Sequence, residues 1–354
     1  MDRRTLLLAS LGTVIAGSAL AEPASARRRQ TARRTPARPP AAPEGVAALA
    51  ETFPGVDLGP DGAASAVIIA EDPRPEAAQP GAQAVLWRAA RRPDAPMFAG
   101  GALNGVILAG FLRQVEQGGA ALADEAVIDD SVRSLPSPVF GRLTGRAPCF
   151  SVLEAMIAHG DNTAADVALA VAGPAAIRKF LQSAGFRQTH VPASTREMLS
   201  WMAGGAAGVN PGWEGLQAAC AAPVSPVRSP LGEGPAARST AAELAEWSRN
   251  AFAGRYFGAS ASLAEFARIM AMGAPARRIA PADVPAWGTG GGFSLGDFHG
   301  YAVAGRMLAG GVPVTFSLLA SWRGGPEEGR RVAAACETAA RDLLAETRRA
   351  LARA

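Results

Sequence analysis

The sequence predicts a mixed α/β fold in which strands near the two ends of the chain share one antiparallel sheet and the middle of the chain forms a helical lobe. Segments 63–70 and 83–87 read as two strands around a proline-rich turn, and 285–293, 298–307 and 312–322 read as three more, with turns at Gly296-Asp297 and Gly310-Gly311. Between these groups the pattern is helical. Strands at both termini with helices between them are accommodated by one sheet flanked by helices plus a separate helical lobe.

Taken in order, Glu44 to Glu51 opens a short helix before the first strand pair. A longer helix runs from about Ala102 to Glu116, where Val106, Leu108, Phe111, Leu112 and Val115 form a broad apolar face and Gly118-Gly119 ends it. Ser151 with Glu154, and Thr240 with Glu243, have the S-x-x-E spacing of a capping box, which places helix starts there. The stretch from about 203 to 238 is rich in Gly and Pro and reads as a long ordered loop. A final helix runs from about Glu327 to the end.

The first 43 residues differ from the rest. Asp2-Arg3-Arg4-Thr5-Leu6-Leu7 sets a pair of arginines before an apolar run, and Ala19-Leu20-Ala21 offers a small-residue cleavage site, so residues 1–21 read as a signal peptide of the twin-arginine type. Residues 22–43 form a basic Pro/Arg-rich linker, and 44–354 are expected to be the folded domain, with sheet parts at about 44–100 and 280–354 and the lobe at about 101–279. The expected location is periplasmic or secreted, with no transmembrane segment once the signal is removed.

Charge separates along the same line. Eight arginines against Asp2 and Glu22 give residues 1–43 a sum of +6, so a whole-chain charge of +4 leaves −2 for the rest. The folded body is therefore not basic, which argues against a nucleic-acid partner. Cys149, Cys220 and Cys336 are widely spaced and show no C-x-x-C pair, and His159, His190 and His299 have no metal-ligand spacing. No metal or cofactor is expected, and a monomer is the default.

The middle and end of the chain carry three motif-like stretches. Ser151 to Asp166 is a helix and turn containing Gly160-Asp161-Asn162, Arg238 to Leu244 starts another helix, and Trp287-Gly288-Thr289-Gly290-Gly291-Gly292 opens a strand. Together they resemble the class A β-lactamases and related penicillin-recognising serine hydrolases, over nearly everything after about residue 44. The resemblance implies a β-lactamase-like (transpeptidase-like) fold. It places Gly160-Asp161-Asn162 at the S-D-N motif and Gly288-Thr289-Gly290 at K-T-G. Counting back from Gly160 by 160 − 101 = 59 residues puts Gly101 and Asn104 at the Ser and Lys of S-x-x-K. The water-activating glutamate of the family falls at Thr195, with Glu197 nearby.

The motif frame is kept and the chemistry is lost. The chain has a single lysine, Lys179, which sits in none of these motifs, and no Ser, Thr or Cys occurs between Ala66 and Asp130. Removing the nucleophile or base of a serine hydrolase costs about a millionfold in rate, or about 8 kcal/mol of barrier. The expectation is an exported homologue without β-lactamase activity, with Gly101, Asn104, Gly160, Thr195 and Thr289 as degenerate motif positions. Asn162, Thr289 and Gly290 remain as binding groups for a cell-wall peptide or a small-molecule ligand. The vacated cleft is expected to be wider and less positive, lined in part by Trp201, Trp213, Trp287 or Trp322.

Two alternatives stay open: a hydrolase using nonstandard residues, such as His159 with Asp161 and Ser151 or Ser194, and an envelope-attached interaction protein held by the Arg27 to Arg38 tract.

Overall fold

The computed structural model describes residues 40–74, 84–232, 234–235 and 237–353. The signal peptide, nearly all of the basic linker and Gln83 lie outside the described residues. The sheet has five antiparallel strands in the order β2-β1-β9-β8-β7, formed by β1 (Ala63–Glu71), β2 (Val85–Arg91), β7 (Ala286–Leu295), β8 (Phe298–Ala309) and β9 (Val312–Arg323). The ends of the chain thus supply adjacent central strands: Ala66 lies opposite Leu318, and Ile68 opposite Phe316.

Both faces of the sheet are covered, which is why β8 and β9 are buried almost throughout. On one face Ala66, Ile68, Val314, Phe316 and Leu318 pack under α1 (Glu44–Thr52) and α11 (Pro326–Arg353). Residues Val332, Cys336, Ala340, Leu343, Leu344 and Thr347 of α11 recur at helical spacing and are buried, so one stripe of a 28-residue helix lies on the sheet. The opposite face carries Val67, Ile69, Ala302, Ala304 and Leu319 and meets α8 (Ala241–Phe252).

The lobe is built around α2 (Asn104–Glu116), which continues a 3₁₀ turn at Gly100–Leu103 and packs on α3 (Cys149–His159), α4 (Asn162–Ala172) and α5 (Pro174–Ser183). The lobe is completed by α6 (Thr195–Met202), α7 (Gly212–Ala221) and α9 (Ser260–Met270), and α10 (Ala274–Ile279) joins it to the sheet beside β7. Short pairs, β3 (Met97–Phe98) with β6 (Arg238–Ser239) and β4 (Glu125–Ile128) with β5 (Gly145–Pro148), tie loops together.

Two expectations are corrected. The 203–238 stretch contains α7, whose one fully buried residue, Leu216, is too weak a pattern to read from sequence. The Ser151 capping box does not form, because α3 already begins at Cys149 after Pro148 and Ser151 lies inside it; Glu154 pairs with Arg268 at 2.7 Å instead. The Thr240 cap does form, Oγ1 accepting from the Glu243 amide at 3.0 Å. Thr240→Ala is therefore expected to lower unfolding free energy by about 1 kcal/mol, and Ser151→Ala to change it by a few tenths at most, in urea unfolding of the two variants side by side.

Candidate functional site

A cleft of about 360 Å³ lies where the 3₁₀ turn, the α3–α4 turn, α10 and the free edge of β7 meet. The fold brings Gly101, Asn104, Gly160, Asn162 and Gly290 together around it. Three segments far apart in sequence, the turn before α2, the α3–α4 turn and β7, thus meet at one cleft. Thr195 and Thr289 stand behind the walls and do not line the space.

The turn between α3 and α4 is organised by Asp161. Gly160 closes α3 in a left-handed conformation (φ 65°), and Asp161 caps α4, its Oδ1 accepting from the Ala164 amide at 2.9 Å. The same buried carboxylate accepts from Ser137 Oγ and from the amides of Val139 and Phe140, at 2.8 to 3.0 Å. One side chain therefore fixes both the turn and the 136–140 loop, whose Pro136 forms a cleft wall. Asn162 adds to this clamp: its side-chain amide donates to Leu135 O and its backbone amide to Pro136 O.

At the opposite wall, Gly101 faces β7 so closely that a Cβ built on it would lie 3.5 Å from Gly290 Cα, an ordinary van der Waals contact. Asn104 is buried and donates from Nδ2 to Met156 O at 3.2 Å. Thr289 Oγ1 donates to Gly101 O at 3.2 Å, so its hydroxyl holds the turn against the strand instead of facing a ligand. Gly290 has a positive φ of 139°, and a Cβ there would meet Ala302 O at 1.9 Å; only glycine fits. At Gly288, a Cβ would approach Ala304 O to 2.6 Å and the Ala276 methyl of α10 to 2.9 Å.

The expected tryptophans are elsewhere: Trp322 is buried in the sheet core, and Trp287 packs on Phe252. The aromatic lining comes from Phe98 and Phe293, whose ring centroids are 4.9 Å apart. The cleft keeps a positive charge from a residue that no sequence pattern singles out, Arg278 of α10, which also approaches Glu337 at 3.4 Å. Nothing in the local sequence marks Arg278, since its place depends on how α10 crosses β7. Phe98 carries a weak signal, standing three residues before Gly101.

A triad of His159, Asp161 and a serine is not assembled. His159 lines the cleft, but the Asp161 carboxylate is directed to Ser137 and backbone amides, Ser194 caps α6, and Ser151 lies within α3. The three cysteines are unpaired.

Thr195 sits at the start of α6, with Oγ1 2.6 Å from Ser134 Oγ and donating to Asn162 O at 3.4 Å. Its backbone amide and that of Arg196 donate to the buried carboxylate of Asp166. Burial pushes the Asp166 pKa up to about 6 from its ordinary 3.8, against the pull of the Thr195 and Arg196 amides and the Arg196 guanidinium.

The likeness of this architecture to known proteins is broad. Residues 87–247 match the model of the Beta-lactamase enzyme family. No curated protein matches the sequence. Among solved structures, PBP-A aligns with a TM-score of 0.61 at 14% identity, covering 88% of this chain and 99% of its own. A β-lactamase from Xanthomonas campestris pv. campestris aligns at 0.62 and 17%, covering 84% and 97%. The class A β-lactamase of the last common ancestor of Gram-negative bacteria aligns at 0.60 and 18%, covering 85% and 100%. At these identities the structural likeness is one of fold.

A folded pKa above the unfolded one means that the native state holds a proton the unfolded state has released. Stability from Asp166 is thus fully present below its ordinary 3.8 and is lost as pH rises toward about 6. The loss is expected to amount to about 3 kcal/mol across that window. Asp166→Asn keeps an acceptor oxygen and should flatten this slope in urea unfolding; an unchanged slope would assign the pH dependence to another group.

Proposed function

We propose that this chain, a member of the β-lactamase-like family, is a binding protein of the cell envelope and not a β-lactamase. The observation that carries the reading is the composition of the cleft: among the described residues that line it there is no Ser, Thr, Cys or Lys. Acyl transfer in this family requires a nucleophile at the position of Gly101 and a proton acceptor beside it, and the side chain at the second position is a buried amide, Asn104. The K-T-G lysine position is also closed sterically, since Gly288 has no room for a Cβ between β8 and α10.

The space that remains suits a ligand held without covalent chemistry. The outer edge of β7 at Gly290–Gly292 presents backbone groups to the cleft, Phe98 and Phe293 offer apolar rings, and Arg278 and His159 supply polar contacts. A peptide laid along the strand edge, such as one from the cell wall, fits this lining better than a compact bicyclic ring. The signal-like N-terminal segment and the basic tract support a place outside the cytoplasmic membrane, where the tract would add electrostatic attachment to anionic polymers.

A second reading, hydrolysis by nonstandard residues, has one observation in its favour: His159 is exposed in the cleft. No hydroxyl or thiol joins it on the described lining.

Turnover of a chromogenic cephalosporin by the purified protein is expected to equal that of buffer. Gly101→Ser is expected to stay at background as well, because the added hydroxyl finds no lysine to accept its proton. Turnover above buffer that is abolished by His159→Ala would overturn the binding reading in favour of the second.

A further inference from the structure

The β7–β8 hairpin brings a serine and a histidine into contact. Ser294, exposed near the end of β7, lies opposite His299 of β8, and its Oγ is 2.8 Å from His299 Nδ1. The other ring nitrogen, Nε2, is 3.0 Å from Gly324 O, just past the end of β9. A carbonyl only accepts, so Nε2 carries a proton; in the neutral ring Nδ1 is then the acceptor, and the Ser294 hydroxyl donates to it. Hydroxyl, imidazole and orienting acceptor thus stand in the order that activates a serine, with a main-chain carbonyl in the third place.

The ring is held rigidly. His299 is 2% exposed and stacks on Trp322 with centroids 5.8 Å apart. Gly329 of α11 packs against it so closely that a Cβ there would lie 2.3 Å from His299 Cε1. The carbonyl that orients the ring is fixed as well: Gly324 N donates to Asp297 O at 3.0 Å, and Arg323 pairs with the Asp297 carboxylate at 2.5 Å. A base locked toward the hydroxyl has its entropy of orientation already spent, and of the two side chains the serine is the one that reaches solvent.

Leu295 and Phe298 flank the two-residue turn as a hydrogen-bonded pair, so Ser294 and His299 form the next, non-hydrogen-bonded pair. In such a pair the side chains are close, and the Ser294 N–H points to the outer edge of β7, where it can donate to an oxyanion formed at Oγ. Successive strand residues face opposite sides, and Phe293 lines the cleft, so the Ser294 side chain projects from the other face.

We propose that Ser294 and His299 form an esterase dyad that accepts the acyl group of small carboxylic esters, independently of any ligand in the cleft. Ser294 Oγ bonds to the acyl carbon as His299 Nδ1 takes the hydroxyl proton; the bond from that carbon to the alcohol oxygen breaks, and the alcohol leaves with the proton. Water then gives a proton to Nδ1 while its oxygen bonds to the acyl carbon; the bond to Oγ breaks, and Oγ recovers the proton as the acid leaves. Esters suit the dyad better than amides because an alcohol leaves more readily than an amine, and an exposed strand edge suits a small acyl group that needs no enclosing pocket.

Mass spectrometry with peptide mapping, after the full chain is incubated with 4-nitrophenyl acetate or with a fluorophosphonate, tests this. Both reagents are expected to modify Ser294, and the ester to be turned over faster than in buffer. Ser294→Ala, a change at an exposed position, should leave the melting temperature unchanged, remove the modification and lower ester turnover about tenfold or more. His299→Gln should slow modification of Ser294 about a hundredfold, the ordinary contribution of a general base. Because His299 is buried, Ser294→Cys supplies a measurement that leaves the core intact: its thiol should be alkylated by iodoacetamide about tenfold faster than glutathione at neutral pH, as a histidine-paired thiol is.

Ser294 left unmodified by both reagents, or modified at the same rate in His299→Gln, would overturn the proposal, as would a Ser294→Cys thiol alkylated no faster than glutathione. Ester turnover unchanged in Ser294→Ala would assign the hydrolysis to other groups and overturn it equally.

Discussion

The cleft walls are set by how closely main chain packs around β7. At Gly288 and Gly290 the strand is in contact with β8 and α10 at distances that exclude a methyl group, while on its other side it receives the Gly100–Leu103 turn through the Thr289 hydroxyl. Such packing needs a strand that cannot shift, and the sheet supplies it: β8 and β9 are covered on both faces, so moving β7 would disturb the core under α11 and that under α8. The edge position of β7 then leaves one row of backbone groups facing the cleft.

Asp161 does for the lobe what those glycines do for the sheet. A buried carboxylate that accepts from one hydroxyl and three backbone amides ties the α3–α4 turn to the 136–140 loop, and Asn162 extends the clamp to Leu135. Next to it, Asp166 joins α4 to the first turn of α6. Polar groups of the motif region thus act as scaffold here. Their hydrogen bonds give them an architectural role.

The sheet was legible because its strands alternate or run apolar between glycine turns, and α11 because its buried residues recur at helical spacing; both patterns are local and were read within a few residues. The grouping of Gly101, Asn104, Gly160, Asn162 and Gly290, which line one cleft, was implied by the family resemblance and by no pattern local to any of them. What the sequence did not yield depended on tertiary contact. Arg278 reaches the cleft only because α10 crosses β7, α7 is held by a single buried leucine, and Pro148 starts α3 two residues ahead of the box at Ser151. The direction of the Thr289 hydroxyl was likewise set by a carbonyl 188 residues away.

Gly101 and Gly288 differ in the room that their surroundings leave. At Gly101 a side chain would meet ordinary contacts, while at Gly288 the neighbouring strand and helix occupy the volume that a side chain would need. Adding a side chain is therefore a local event at Gly101, whereas at Gly288 it requires the main chain of β8 and the Ala276 methyl of α10 to give way, so the two positions differ in how far a single substitution would propagate through the fold.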